Sequence, residues 1–296
     1  MRAAAELARA LVLSHSSIGA DERTWIVAID RPSHATVAAP LTQWAQAINR
    51  VTGGARELKL VQAAANASAR RIKSDVRNGK LALGAIDLGG LVRESSIYAA
   101  ADIPFALTSK ATLALLFDRW RPMLEARLAE DGLRLVMLLP GAPHGLLSRT
   151  PVRRISDIAG GMPIAAPGAA GHRLVDLIGA PFAESHGATD PAMIASGALG
   201  GQFATRAEVD AAATPPDGLV FTELEGWRGA TAVICSQTLL DQLTTPERAQ
   251  LLAEALDIED LFWQTGEQTG IDAIEVDSPS VLPVLQPDPE LVLELR

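Results

Sequence analysis

The stretch "PVRRISDIAGGMPIAAPG", residues 151–168, reads as a chain starting over. A basic lead runs into a short turn of helix, two glycines follow, then a brief apolar strand and another glycine. A second α/β unit beginning in mid-chain implies two units along the 296 residues. A cleft between two such units is a natural place to hold a small molecule.

The segments on either side carry the same alternation. "TVAAPLTQWAQAINRVTGG" predicts a helix, because Val37, Leu41, Trp44, Ala45 and Ile48 recur at three and four residues and Gly53–Gly54 end the run. "RELKLVQA" predicts a strand, and "ASARRIKSDVRNGK" a short helix with Ile72 and Val76 inward. "LALGAIDLGGLV" predicts a strand entering a glycine turn. "ADIPFALTS" is irregular, and Ser109 caps a helix that Pro122 should bend or divide. "LRLVMLLPG" has the near-continuous apolar character of a strand covered on both faces. After residue 168 come a short helix at "HRLVDLIGA", strands at "DGLVFTEL" and "GATAVICSQ", and a long helix opening at Thr245-Pro246-Glu247. The proline-rich tail is expected along the surface. The first strand is expected at residues 10–17, with a loop through 19–35.

Composition narrows the function. With 35 acidic and 26 basic side chains the net charge is -9, which provides no basic footprint for nucleic acid. Cys235 is the only cysteine, so no internal disulfide is possible and no cysteine cluster can hold zinc or iron–sulfur. No HExxH or GxSxG occurs. "GALGG" lacks the lysine of a phosphate loop, and "GAIDLGG" has the wrong spacing for a dinucleotide fingerprint. No catalytic residue, metal or cofactor is expected. The start, "MRAAAELARALVLSHSS", is broken by Glu6 and Arg9 and reads as a helix turn running into a strand, not as an export signal.

Taken together, "WAQAINRVTGGARELKLVQA", "DVRNGKLALGAIDLGG", "ADIPFALTS", "TPVRRISDIAGGMPIAAPG", "LIGAPF" and "SGALGGQF" resemble, in order and spacing, the dicarboxylate-binding solute-binding proteins of tripartite ATP-independent periplasmic (TRAP) transporters. The resemblance implies a two-lobed α/β fold of the periplasmic-binding-protein kind, with hinge strands and a long bracing helix. Residues 1–125 would form the first lobe, completed by 206–232. Residues 126–205 would form the second, and 233–296 a helix and tail packing across both. It also implies a periplasmic protein without enzyme activity. Such a protein closes on an organic acid and delivers it to the membrane subunits of a TRAP transporter. A non-exported sensor or scaffold of the same fold, or an enzyme on a two-lobed frame, are the alternatives.

One departure bears on the ligand. The family pattern Gly-Leu-Lys-Ile-Arg places a carboxylate-binding arginine where this chain has Ala165, and alanine offers no bidentate fork. Either the ligand is not a typical dicarboxylate, or another residue supplies the charge, or binding has been lost; the expectation is that the charge has moved to Arg173 or His144. His144 lies after the strongest strand. His172 and Arg173 are expected to begin a helix, where backbone donors favour an anion. Gln202 and Phe203 follow a glycine pair, at a place where the resembled family often has polar groups facing the cleft. Trp25 and Arg31 lie in or near the first loop, and Trp227 with Arg228 on a returning segment. These nine residues are the candidate ligand contacts.

Overall fold

A computed structural model describes residues 23–30, 34–63, 67–107, 109–158, 161–184, 189–212, 218–224, 226–265 and 282–295. In chain order the elements are β1 (Thr24–Ile29), α1 (His34–Val51), β2 (Glu57–Gln62), α2 (Ala69–Arg77), β3 (Leu83–Asp87), α3 (Lys110–Glu130), β4 (Leu133–Pro140) and β5 (His144–Ser148). They continue with β6 (Ile164–Ala166), α4 (Gly168–Ile178), β7 (Phe182–Glu184), α5 (Pro191–Ala195), β8 (Gly201–Thr205), α6 (Arg206–Ala211) and β9 (Val220–Thr222). The last are β10 (Ala230–Ser236), α7 (Gln237–Asp241), α8 (Thr245–Thr265), β11 (Val284–Leu285) and α9 (Pro289–Leu295). Short 3-10 turns at Leu88–Leu91 and Ser96–Asp102 follow β3.

The chain forms two units. The first holds the described residues through Arg93 together with Asp118–Leu139 and Thr231–Thr265. Its sheet runs β2-β1-β3-β10-β4, with β1 parallel to both neighbours and β10 antiparallel to β3. The apolar stripe of α1 produces the packing expected of it: Val37, Leu41, Trp44 and Ile48 are buried against Val27, Ile29, Val233 and α8 residues Leu251 and Ala255. Charged side chains tie this unit together. Lys73 Nζ lies 2.7 Å from Asp131 Oδ2. Glu259, nearly buried on α8, accepts from the Arg121 guanidinium and from the Leu138 amide on edge strand β4. Pairing and hydrogen bonding together make burial of that carboxylate tolerable.

The second unit holds Glu94–Phe117, Pro140–Ala230 and residues 282–295. Its sheet runs β11-β9-β5-β8-β6-β7. Strand alternation sends Leu146, Ile164, Ala166 and Phe203 to one face, against Leu174, Val175, Ile178 and Trp227. Leu147, Ala165, Ala204 and Phe221 go to the other, against Ile194, Leu199 and Val209.

Five expectations are corrected. A strand, β1, occupies the middle of the supposed loop 19–35, and the strand expected at 10–17 lies outside the described residues. Pro122 does not divide α3, which runs unbroken from Lys110 to Glu130. The stretch 206–230 belongs to the second unit, because β9 pairs with β5; only β10 returns to the first sheet. Residues 94–117, expected in the first lobe, also belong to the second unit, and residues 126–139, expected in the second lobe, belong to the first. The tail is not merely a surface strap: β11 pairs with β9, and Leu291 of α9 is fully buried in the second unit, while α8 belongs to the first.

Candidate functional site

In open α/β sheets, ligands are held at the carboxyl ends of the parallel strands. In the second unit β6 and β8 run parallel and end at Ala166 and Thr205. β5 runs antiparallel to β8 with His144 opposite Thr205, so His144 stands on that same edge. Beyond β6 the chain enters α4 through Pro167, whose side chain caps nothing, and among the described residues the first amides of α4 have no side-chain acceptor. Beyond β8, Thr205 and Glu208 form a capping box: the Glu208 carboxylate accepts from Thr205 N at 2.7 Å and from Thr205 Oγ1 at 2.9 Å.

The centre of this edge is an aromatic pair. The His144 imidazole stacks on the Trp227 indole, with centroids 4.3 Å and planes 9° apart. The His144 amide donates to the Trp227 carbonyl at 2.9 Å, and the Gly226 amide donates to the His144 carbonyl at 2.9 Å. His144 Nδ1 lies 3.2 Å from that same Trp227 oxygen. In the neutral ring Nδ1 therefore carries the proton and Nε2 is the free acceptor. Burial pulls the His144 pKa below its usual 6.5; the Glu208 charge and the Trp227 carbonyl oppose this less strongly. Trp227 is itself nearly buried and tilts against Phe203 at 5.5 Å. It lies so close over α4 that a Cβ on Gly171 would come within 3.2 Å of the indole and 2.7 Å of Ala166 Cβ.

Of the nine candidate residues, this edge brings together His144, Trp227 and Phe203. The register separates Gln202 from Phe203: they point to opposite faces of β8, and buried Gln202 accepts from the Asp190 amide at 3.0 Å. His172 and Arg173 do not begin their helix. α4 starts at Gly168, which places them in its second turn, exposed and beyond the free amides. His172 stacks on Phe182 at 4.0 Å and lies 3.7 Å from Asp176. Trp25 is not in a loop. It is a buried β1 residue of the first unit, with the Arg56 guanidinium 5.0 Å from its ring centroid. It lines a small cavity of about 10 Å³ with Ile48, Thr52 and Leu251, room for about one water. Arg228 is buried, and Arg31 lies outside the described residues. Ala165, where the resembled family has its arginine, is buried on the face opposite Trp227.

Two groups escaped the sequence reading. The "TRAE" capping box at 205–208 has a legible Thr-x-x-Glu signature. Asp102 had none, since only the fold buries it. Among the described residues no cluster of three or more metal-ligating side chains occurs, and no helix is long and apolar enough to cross a membrane.

No family model matches the chain, and no curated protein matches it in sequence. Solved structures do. An extracytoplasmic solute receptor of Bordetella pertussis binding pyroglutamic acid matches with a TM-score of 0.80 at 22% identity, covering 92% of this chain and 90% of that one. The fold is that of a solute receptor. A second Bordetella pertussis receptor for pyroglutamic acid matches at a TM-score of 0.79, 20% identity and the same coverage of each chain. A TRAP periplasmic solute-binding protein of Xanthobacter autotrophicus with bound β-D-galacturonate matches at a TM-score of 0.71 and 17% identity, over 92% of each chain. The expected two-lobed α/β solute-receptor fold is thus found in this chain.

Proposed function

We propose that the protein is the extracytoplasmic solute-binding component of a TRAP-type transporter, located in the periplasm. It binds a small organic acid, performs no chemistry on it, and passes it to membrane subunits. The observation carrying this reading is the fold itself, matched over nearly the whole chain to receptors that hold organic acids. The chain's own residues agree with it. The carboxyl edge of the second sheet offers a flat aromatic pair and uncapped helix amides, but no arrangement of nucleophile and base.

The ligand carboxylate is met by the first amides of α4, where the helix dipole is positive. His144 Nε2 and the indole of Trp227 bound the rest of the ligand. This assignment replaces the arginine fork missing at Ala165 with backbone donors, and it suits an acid with one carboxylate better than one with two.

The reading is tested by thermal denaturation against a panel of organic acids containing pyroglutamate, galacturonate, acetolactate and succinate. A ligand at 100 times its Kd raises stability by about 2.7 kcal/mol, which is several degrees in Tm. A monocarboxylic acid from the panel is expected to give this shift and to remain unaltered after incubation. A panel with no stabilising acid, or turnover of the bound acid, contradicts the proposal.

A further inference from the structure

The capping box after β8 carries a negative charge that capping does not require. Glu208 accepts from the Thr205 amide at 2.7 Å and from the Thr205 hydroxyl at 2.9 Å, both through Oε2. A glutamine oxygen completes the same box. Among the described residues no lysine or arginine pairs with the Glu208 carboxylate. The Arg206 guanidinium, two positions away, is turned to Asp210 at 3.0 Å instead.

That charge stands at the candidate site. Thr205 lies directly opposite His144 in the β5–β8 register, as Phe203 lies opposite Leu146. Strand alternation therefore puts Thr205 and His144 on the face that holds Phe203 and Trp227. The Glu208 charge acts on the His144 imidazole. Because His144 Nδ1 addresses the Trp227 carbonyl, Nε2 of the neutral ring is an acceptor. Around β5 and β8 the edge thus presents acceptors and a negative charge. Strand β6 is the next strand beyond β8, and α4, which follows it on the same face, presents uncapped amide donors. The edge is polarised, with donors beyond β6 and acceptors around β5 and β8.

We infer that Glu208 is a specificity-determining residue that disfavours acids with a second carboxylate and favours acids whose far end is an N–H or O–H donor. The inference rests on the solute-binding reading above and narrows its substrate class to hydroxy acids and amide acids. With one carboxylate on the α4 amides, the rest of the ligand extends toward His144 and Glu208. A second carboxylate there meets a like charge and an acceptor lone pair in a partly desolvated place, whereas a hydroxyl or amide N–H meets acceptors. Discrimination of this kind comes from repelling the wrong ligand as much as from attracting the right one.

The experiment is displacement calorimetry on the parent and on Glu208→Gln, which removes the charge and keeps an oxygen for Thr205. The acid of the stability panel that the parent binds best is displaced by succinate or by succinamate, a pair of equal length in which an amide replaces the second carboxylate. In the parent, succinamate is expected to bind about tenfold or more tighter than succinate. In Glu208→Gln the two should come within about threefold, through tighter binding of succinate, and the variant should melt within about 2 °C of the parent because the box is kept. A purely structural role for Glu208 would lower the melting temperature and weaken both acids alike, and that result overturns the inference. So does a parent on which succinamate acts no better than succinate, or a preference that survives intact in Glu208→Gln; either leaves the receptor reading standing. A parent that binds no acid of the panel overturns the receptor reading and the role of Glu208 with it.

Discussion

The imidazole of His144 lies flat on the indole of Trp227, 4.3 Å between centroids, and both its backbone amide and its Nδ1 address the carbonyl of that same tryptophan. Two residues 83 positions apart are thereby locked as a unit at the carboxyl edge of the second sheet. The ring cannot rotate without breaking the Nδ1 contact, so Nε2 has a fixed direction.

Replacing Trp227 by Ala should remove binding and also cost about 3–5 kcal/mol of stability, since the indole is nearly buried between Phe203, His144 and Gly171. Gly171→Ala isolates the positioning role. Its Cβ would press on Ala166 and the indole edge, which should cost about 1–3 kcal/mol and weaken binding while leaving every contacting side chain present. Urea melts and calorimetry on the two variants check both effects; a Gly171→Ala protein as stable and as tight-binding as the parent contradicts this packing.

The pH dependence follows from the lowered pKa of His144. Its native pKa lies below the unfolded value, so its contribution to stability is complete above about pH 6.5 and is lost as pH falls through the native pKa. Affinity for a carboxylic acid should therefore be nearly flat from pH 7 to 8.5 and change only on the acid side of 6.5. His144→Phe should keep the ring stack and remove that acid-side change. Arg173→Ala should leave affinity within about twofold at every pH, because Arg173 stands exposed in the second turn of α4. A large loss there would restore Arg173 as the carrier of the binding charge.

Asp102 runs the opposite way. Its native pKa is raised to about 6 from 3.8, so ionising it opposes folding at neutral pH and the opposition disappears once both states are protonated. Asp102→Asn is expected to be more stable than the parent by roughly 1–3 kcal/mol above pH 6.5, with the advantage vanishing below about pH 4. Chemical denaturation at pH 4, 5.5 and 7.5 reads the slope; a stability gain independent of pH contradicts burial of an unpaired carboxyl.

Thr222 supplies a control within the same unit. Its hydroxyl is fully buried and makes no hydrogen bond with any described residue. Thr222→Val should be neutral or stabilising by up to about 1 kcal/mol, since it removes an unsatisfied polar atom at nearly constant shape. A loss above 1 kcal/mol would reveal a partner for that oxygen.

Much of the fold was legible in the sequence. The stripe of α1, the cap at Ser109 and the apolar run of β4 are local signals, and they formed as read. Pairing between distant segments was not legible. β9 is only three residues long and joins the second unit because β5 hydrogen-bonds it, a partner 74 positions away that no local pattern discloses. The candidate site was half legible for the same reason. His144, Trp227 and Phe203 announced themselves by residue type near strand ends. The separation of Gln202 from Phe203 depends on register, and Arg173 moved off the helix start because α4 begins four residues before the expected His172. Asp102 is an ordinary exposed-type residue by sequence and becomes notable only when the fold buries it.

The central claim is that this chain holds a small organic acid at the carboxyl edge of its second sheet through His144 and Trp227. Isothermal titration of the parent and of Trp227→Phe with pyroglutamate and with galacturonate tests it most directly. The account predicts one-to-one binding of at least one acid by the parent, weakened tenfold or more in the variant. Equal affinity in the two proteins for an acid that the parent binds would contradict it, as would a parent that binds no acid of the stability panel.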